Sequence, residues 1–241
     1  MKMDKELSVE EILIKGAEQL GLSLSKSQTE KFITYLRDLK AWNKRFNLTA
    51  LKKDTEIIVK HFLDSLTLCQ LFHQVPKNLV DIGPGAGFPS LPIKIYLTDI
   101  ECTLIEANGK KVSFLKYIIH RLNLKGVFLI KARAEEMARG DLRERFDLAV
   151  GRGVARLNVL LEYALPYVKI GGCMIAQKGK NFQEIEEAQK ALSLLGGRVT
   201  WIKSLKLPFS GEHRNLIMIE KVKSTPLTYP RRPGIPEKRP L

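Results

Sequence analysis

N-L-V-D-I-G-P-G-A-G-F-P-S-L-P, from Asn78 to Pro92, changes character twice within a few residues. Leu79 to Ile82 is a short apolar run carrying one acid, Asp81. It breaks into glycines at 83, 85 and 87 before apolar residues resume at Leu91, Ile93 and Ile95. That order reads as strand, tight loop, helix. Glycine lets the backbone take a positive φ and lets a ligand approach with no Cβ in the way. Free N–H groups at a helix start favour polar or anionic ligand groups. The stretch therefore predicts a nucleotide-type pocket at the carboxyl end of a buried strand, built on Asp81, Gly83, Gly85 and Gly87.

The spacing bears on which nucleotide. A dinucleotide fingerprint, G-x-G-x-x-G, seats a pyrophosphate. This loop reads G-x-G-x-G instead, with Pro84 stiffening the turn. Asp81 before the first glycine and Glu106 at the end of the next apolar run, Cys102 to Ile105, suit a ligand with an ammonium group and a ribose diol: S-adenosylmethionine. An acid at the second strand end is equally expected for NAD, so an NAD-dependent oxidoreductase stays open at this point. An ordinary strand-turn-helix connection is the bland alternative.

Working outward, apolar runs at Leu79 to Ile82, Cys102 to Ile105, Val127 to Ile130, Phe146 to Val150, Cys173 to Ala176, Val199 to Ile202 and Leu216 to Ile219 alternate with helical stretches, except between the last two. Seven such runs predict an α/β fold with a doubly wound, mostly parallel sheet. Lys203 to Asn215 has no helical pattern, which predicts a closing antiparallel hairpin. Gly171 and Gly172 read as a turn between a helix and the fifth strand. Lys178 and Lys180, just after that strand, are candidates for RNA phosphate contact.

Upstream, Val9 to Leu20 and Ser27 to Phe46 have helical periodicity, with Phe32, Tyr35, Leu36, Leu39 and Trp42 on one face; Ser25 or Ser27 is the expected N-cap. Thr55 to Leu71 reads as a third helical segment, on which His61 and Asp64 share a face, as a pocket wall or as a local hydrogen-bonded pair. The expected division is a helical region over 1–75, a nucleotide-binding domain over 76–222 and a basic proline-rich tail over 223–241.

The chain has 241 residues, 44% of them hydrophobic, and a formal net charge of +14. Residues 1–75 hold 12 Lys and Arg against 10 Asp and Glu, and residues 76–241 hold 28 against 16. The excess therefore belongs mainly to the domain with the pocket, and favours a polyanionic partner. No run of about 18 apolar residues occurs and the first ten residues lack the pattern of a signal peptide, so a cytoplasmic protein with no membrane segment is expected. Cys69, Cys102 and Cys173 lie far apart without metal-ligand spacing, and read as free buried thiols rather than metal ligands.

Taken together, Asp81 to Pro89, Glu106 with Lys110 and Lys111, Arg133 to Glu136, Gly151 to Leu157 and Lys169 to Gly179 resemble the bacterial ribosomal RNA small subunit methyltransferase G family, also called glucose-inhibited division protein B. W-N-K-R-F-N-L-T-A at 42–50, H-F-L-D-S-L at 61–66 and Y-P-R-R-P-G-I-P-E-K-R-P-L at 229–241 extend the resemblance over nearly the whole chain. It implies a class I, Rossmann-like methyltransferase fold and S-adenosylmethionine-dependent methylation of N7 of one guanine in the decoding region of 16S rRNA, with rRNA or the small ribosomal subunit as partner. It implies donor contacts at Gly83, Phe88, Ala134, Glu135 and Arg152, and a ribose role for Glu106. It names no catalytic side chain. Gly151 and Gly153 beside Arg152 depart from the family pattern and loosen the backbone there. A non-catalytic RNA-binding assembly factor is the rival reading, and the oligomeric state stays open.

The tail from Lys223 to Leu241 holds prolines at 226, 230, 233, 236 and 240. These predict an extended surface course without helix. Tyr229, Arg231, Arg232, Lys238 and Arg239 then combine a stacking ring with cations, a pattern suited to RNA.

Overall fold

The computed structural model describes residues 7–72, 74–179 and 183–241. Its centre is a seven-stranded sheet of β1 (Asn78–Ile82), β2 (Glu101–Glu106), β3 (Val127–Lys131), β4 (Phe146–Arg152), β5 (Val168–Lys178), β6 (Gly197–Lys206) and β7 (His213–Lys221), in the order β3-β2-β1-β4-β5-β7-β6. Each apolar run named above falls inside one strand. β1 to β5 are parallel, and β7 inserts antiparallel between β5 and β6, completing the expected hairpin. The chain leaves β1 toward β2 on one side and returns to β4 on the other. That reversal opens a crevice beyond the carboxyl ends of β1 and β4.

Ahead of the sheet stand α1 (Val9–Gln19) and α2 (Lys26–Phe46). Both begin in capping boxes, Ser8 with Glu11 and Ser25 with Gln28, so the exposed first-turn N–H groups are satisfied by side chains. The next helical segment is one continuous rod of mixed pitch: α3 (Asp54–Ile57), a π turn over Ile58–Leu63, α4 (Asp64–Leu66) and a 3₁₀ turn over Thr67–Leu71. The sheet is crossed over by α5 (Ser90–Tyr96), α6 (Gly109–Arg121), α7 (Ala134–Met137), α8 (Leu157–Ala164), α9 (Gln183–Glu187) and α10 (Gln189–Leu195), and the chain ends in α11 (Ile235–Lys238).

Two apolar layers cover the sheet. On one face, Phe32, Tyr35, Leu39, Phe62 and Leu63 of the helical region belong to the same buried cluster as Phe88, Leu91 and Phe114. Tyr35 lies 5.2 Å from Phe62 and 5.6 Å from Phe88 between ring centroids, and Trp42 lies 5.6 Å from Phe114. On the other face α8 and α10 pack Leu160, Leu161 and Leu192 against Val80, Ile82, Met174 and Ile217.

Two expectations are corrected here. Gly171 and Gly172 do not end a helix; they lie within β5. Phe146 there opposes Val168 while Leu148 opposes Cys173, so the longer β5 segment bulges. A Cβ on Gly172 would stand 2.8 Å from the Asp147 carbonyl oxygen, so the bulge requires glycine. The tail is not a free extended arm either. It carries the single turn α11, with Pro236 in the first turn, where the missing N–H has no helical partner to lose. Arg139 donates to the Pro230 carbonyl at 2.7 Å and Arg143 to that of Tyr229 at 2.9 Å, fixing the tail on the domain.

Candidate active site

The loop after β1 adopts positive φ at Gly83 (65°), Gly85 (63°) and Gly87 (99°). Gly87 is the most constrained, because a Cβ there would lie 2.4 Å from the Tyr35 hydroxyl and 2.6 Å from Leu91. The N–H groups expected to face a ligand are largely used inside the protein. Gly83 N donates to Ile105 O at 2.9 Å, Phe88 N to Pro84 O at 2.9 Å and Ser90 N, at the start of α5, to Asp81 Oδ2 at 3.1 Å.

Asp81 is therefore a clamp under the loop. It is fully buried, its Oδ1 has no partner among the described residues, and burial pushes its carboxyl up to about 7. Glu106 performs the complementary task at the rim. Its Oε2 accepts from Gly85 N at 3.0 Å and its Oε1 from Asn108 N at 2.8 Å, so one carboxylate ties the loops after β1 and β2 together. Each oxygen has one backbone donor, and a carboxylate oxygen has capacity for a second, as a vicinal diol requires.

These residues open on a cleft of about 280 Å³ at the strand carboxyl ends, lined by Gly83, Glu106, Ala134, Glu135, Tyr163 and Glu237 among others. A larger groove of about 660 Å³ runs over Leu36, Lys40 and Ala41 on α2, remote from the strand ends. Position at the strand crossover and the convergent polar groups favour the smaller cleft. Gly83, Glu106, Ala134 and Glu135 are thus brought together. Asp81, Gly85 and Gly87 support the cleft from behind without lining it.

Phe88 and Arg152 lie elsewhere. Phe88 is buried between Tyr35 and His61, and the Arg152 guanidinium carbon sits 5.1 Å from the centre of its ring. Arg152 donates to the Lys60 carbonyl at 3.1 Å and to Asp64 Oδ2 at 3.3 Å, and its Nη2 lies 3.0 Å from His61 Nδ1. Burial, then the Arg152 cation, lowers the His61 pKa to about 3. The ring is neutral: Nδ1 accepts from Arg152 and Nε2–H donates to Thr49 Oγ1 at 2.7 Å. Asp64 also accepts from Arg214 at 3.0 Å and Gln177 at 3.3 Å. His61 and Asp64, expected on one helical face, meet through Arg152. Arg214 and Gln177 were not legible as members of this cluster, because only strand pairing brings β5 and β7 over the helical rod.

The RNA candidates divide. Lys178 is taken by Glu184 at 2.7 Å and the Ala155 carbonyl at 2.8 Å. Arg231 grips the fully buried Glu162 with Nε and Nη2, the shortest contact being 2.6 Å, and Tyr229 packs into the apolar layer under α8. All three are engaged within the protein, so none of them presents a free group of the kind expected for RNA contact. Arg232, Lys238 and Arg239 are exposed, and Lys180 lies outside the described residues. No metal-binding group of His, Cys, Asp or Glu occurs among the described residues, and no helix among them is long and apolar enough to cross a membrane.

The sequence profile of the GidB family, described as rRNA small subunit methyltransferase G, matches residues 28–217. The ribosomal RNA small subunit methyltransferase G of Acetivibrio thermocellus is 46% identical over 239 residues, covering 99% of both chains. The chain belongs to the rRNA small subunit methyltransferase G family. The methyltransferase G of Lactobacillus johnsonii is 44% identical over 96% of this chain and 99% of that one. Among solved structures, precorrin-6y C5,15-methyltransferase from Geobacter metallireducens is 18% identical with a TM-score of 0.51, covering 66% of this chain and 86% of that one. The YcgJ protein from Bacillus subtilis matches at 14% identity and TM-score 0.51, over 66% and 99%. The sheet is thus that of a class I methyltransferase, and S-adenosylmethionine is the methyl donor of this methyltransferase G chain. The cleft fits such a donor, since Glu106 presents two oxygens already held in place by backbone N–H groups.

Proposed function

We propose that the protein transfers the methyl group of S-adenosylmethionine to N7 of one guanine in the decoding region of 16S rRNA, in the cytoplasm. The observation that carries this reading is the cleft at the strand carboxyl ends, with Glu106 pinned at its rim, in a chain that matches methyltransferase G relatives from end to end.

S-Adenosylmethionine supplies a methyl carbon on a sulfonium, which departs as a neutral thioether while the guanine gains the positive charge. Guanine N7 carries a free lone pair, so no general base is required. The residues have to align two partners and exclude water, which is worth several kcal/mol of the barrier. In this reading Glu106 accepts hydrogen bonds from the ribose hydroxyls, and Ala134 and Glu135 border the base of the donor. Arg152 stays with Asp64 and His61, where it holds the helical rod against the end of β4 beside the cleft. The basic excess after residue 76, with Arg232, Lys238 and Arg239 exposed, supplies the phosphate attraction.

Transfer of labelled methyl from donor to naked 16S rRNA, to a partly assembled subunit and to the whole small subunit is the test. Labelling of one guanine on at least one of these substrates is expected. Protein that binds donor and rRNA but transfers no methyl to any of them is an assembly factor, and the enzyme reading fails.

A further inference from the structure

Cations and prolines in the tail point to an RNA arm, and the exposed Arg232, Lys238 and Arg239 keep that role open, but other residues of the tail are fixed on the domain. Arg231 forms a bidentate pair with Glu162, whose side chain is 0% exposed. The Gly234 N–H donates to Glu135 Oε1 at 3.1 Å, and Asn158 Nδ2 reaches the Leu241 carbonyl at 3.4 Å. Pro230 and Pro236 are buried. Between the Arg231 anchor and Leu241, α11 passes along the mouth of the donor cleft, and Glu237 joins Ala134, Glu135 and Tyr163 in its lining.

The three carboxylates at this cleft are not equivalent. Glu106 belongs to the loops after β1 and β2. Glu135 is 2% exposed, and its Oε1 accepts both from Arg133 at 3.1 Å and from Gly234 N, which fixes the side chain in the wall through that one oxygen. Glu237 is exposed, and no hydrogen bond or ion pair among the described residues holds its carboxylate; Arg133 and Tyr163 are the charged and phenolic groups near it. An acceptor-only group that lines the same cleft as Glu106 is placed to receive an N–H from a heterocycle.

We propose that residues 229–241 are a fixed wall of the donor cleft, and that Glu237 accepts a hydrogen bond from the exocyclic amine of the donor's adenine. The assignment rests on the donor reading above and adds a residue from outside the sheet to it. Glu237 is a donor-binding residue, while Arg231 and Gly234 position the turn that presents it.

The test uses the full chain and two soluble ligands, S-adenosylhomocysteine and its purine analogue, in which a hydrogen replaces the exocyclic amine and N1 stays an acceptor. Calorimetry on wild type should show the adenosyl compound bound more tightly. Glu237→Ala should weaken the adenosyl compound roughly five- to twentyfold, the range of a charge-assisted hydrogen bond reduced for an open site. It should leave the purine compound within about twofold, a selective loss that a purely structural wall does not produce. Glu237→Gln keeps one acceptor oxygen and should recover part of the difference. An equal loss for both ligands, or no loss for either, overturns the proposal. Wild type that binds neither overturns it together with the donor reading. Selective loss in a protein that methylates no rRNA upholds it and sinks only the rRNA assignment.

Discussion

The imidazole of His61 stacks on the ring of Phe88, with centroids 4.4 Å apart and planes 19° from parallel. His61 belongs to the π turn of the helical rod and Phe88 to the loop after β1, so this contact joins the helical region to the loop behind the cleft. Arg152 closes the arrangement by touching both rings, one through Nδ1 and the other through its face. A protonated imidazole would break it, because the proton would fall on the nitrogen that accepts from Arg152.

That consequence is measurable as pH-dependent stability. The His61 pKa of about 3 lies below the unfolded value of about 6.5, so between those limits only the unfolded chain takes up the proton. Stability from neutral His61 is full above pH 6.5 and falls as pH drops toward 3, by about 2 kcal/mol at pH 5. Urea unfolding at pH 7.5 and 5.0 checks this against His61→Gln, which lacks the titration. Equal pH dependence in the two proteins would show that the ring is not held neutral.

Gly87→Ala and Gly153→Ala should separate two kinds of glycine. Both have positive φ, but a Cβ at 87 meets Tyr35 at 2.4 Å and one at 153 meets nothing within 4 Å. Gly153→Ala should cost only the backbone term, about 1 kcal/mol, and Gly87→Ala about 3 kcal/mol or more. Thermal melts of the pair decide it, and similar losses would contradict the geometry.

Glu106→Ala should weaken donor binding by about 1 to 3 kcal/mol in calorimetry. The loss has two sources, the ribose contact and the freed Gly85 and Asn108 N–H groups. Unchanged affinity would remove Glu106 from the site.

Arg231→Ala and Arg232→Ala are neighbours with opposite expected effects. The first leaves the buried Glu162 with only the backbone N–H of residue 231 as its partner, at a cost of about 3 kcal/mol in chemical denaturation. The second removes an exposed cation, so stability should hold while the dependence of RNA affinity on salt falls by about one phosphate contact. Reversed outcomes would restore Arg231 to an RNA-binding role.

The seven strands and the closing hairpin were readable because buried strands are apolar runs and β6 and β7 have no helix between them, whereas the order β3-β2-β1-β4-β5-β7-β6 was not. Asp81 and Glu106 were readable as acids at strand ends. The tail was misread for a physical reason: prolines and cations describe a segment in isolation, and Arg231 takes its meaning from Glu162. The signal existed in Leu157–Ala164, where Glu162 is the single acid of an apolar helix and has to find a cation when buried. Arg152 was placed by likeness at the donor. Its partners Lys60, His61 and Asp64 sit on a rod some 90 residues earlier, and pairings at that distance leave no periodic trace.

The core shared by the helical region and the sheet also sets a clock for the growing chain. Tyr35 and Trp42 face Phe114, whose ring is added 79 positions after Tyr35. At synthesis rates of about 5 to 20 residues per second that interval is roughly 4 to 16 s. For those seconds the part of the α2 stripe that α6 later covers has no such cover, so the nascent helical region depends on Phe62 and Phe88, added earlier, for its first apolar partners.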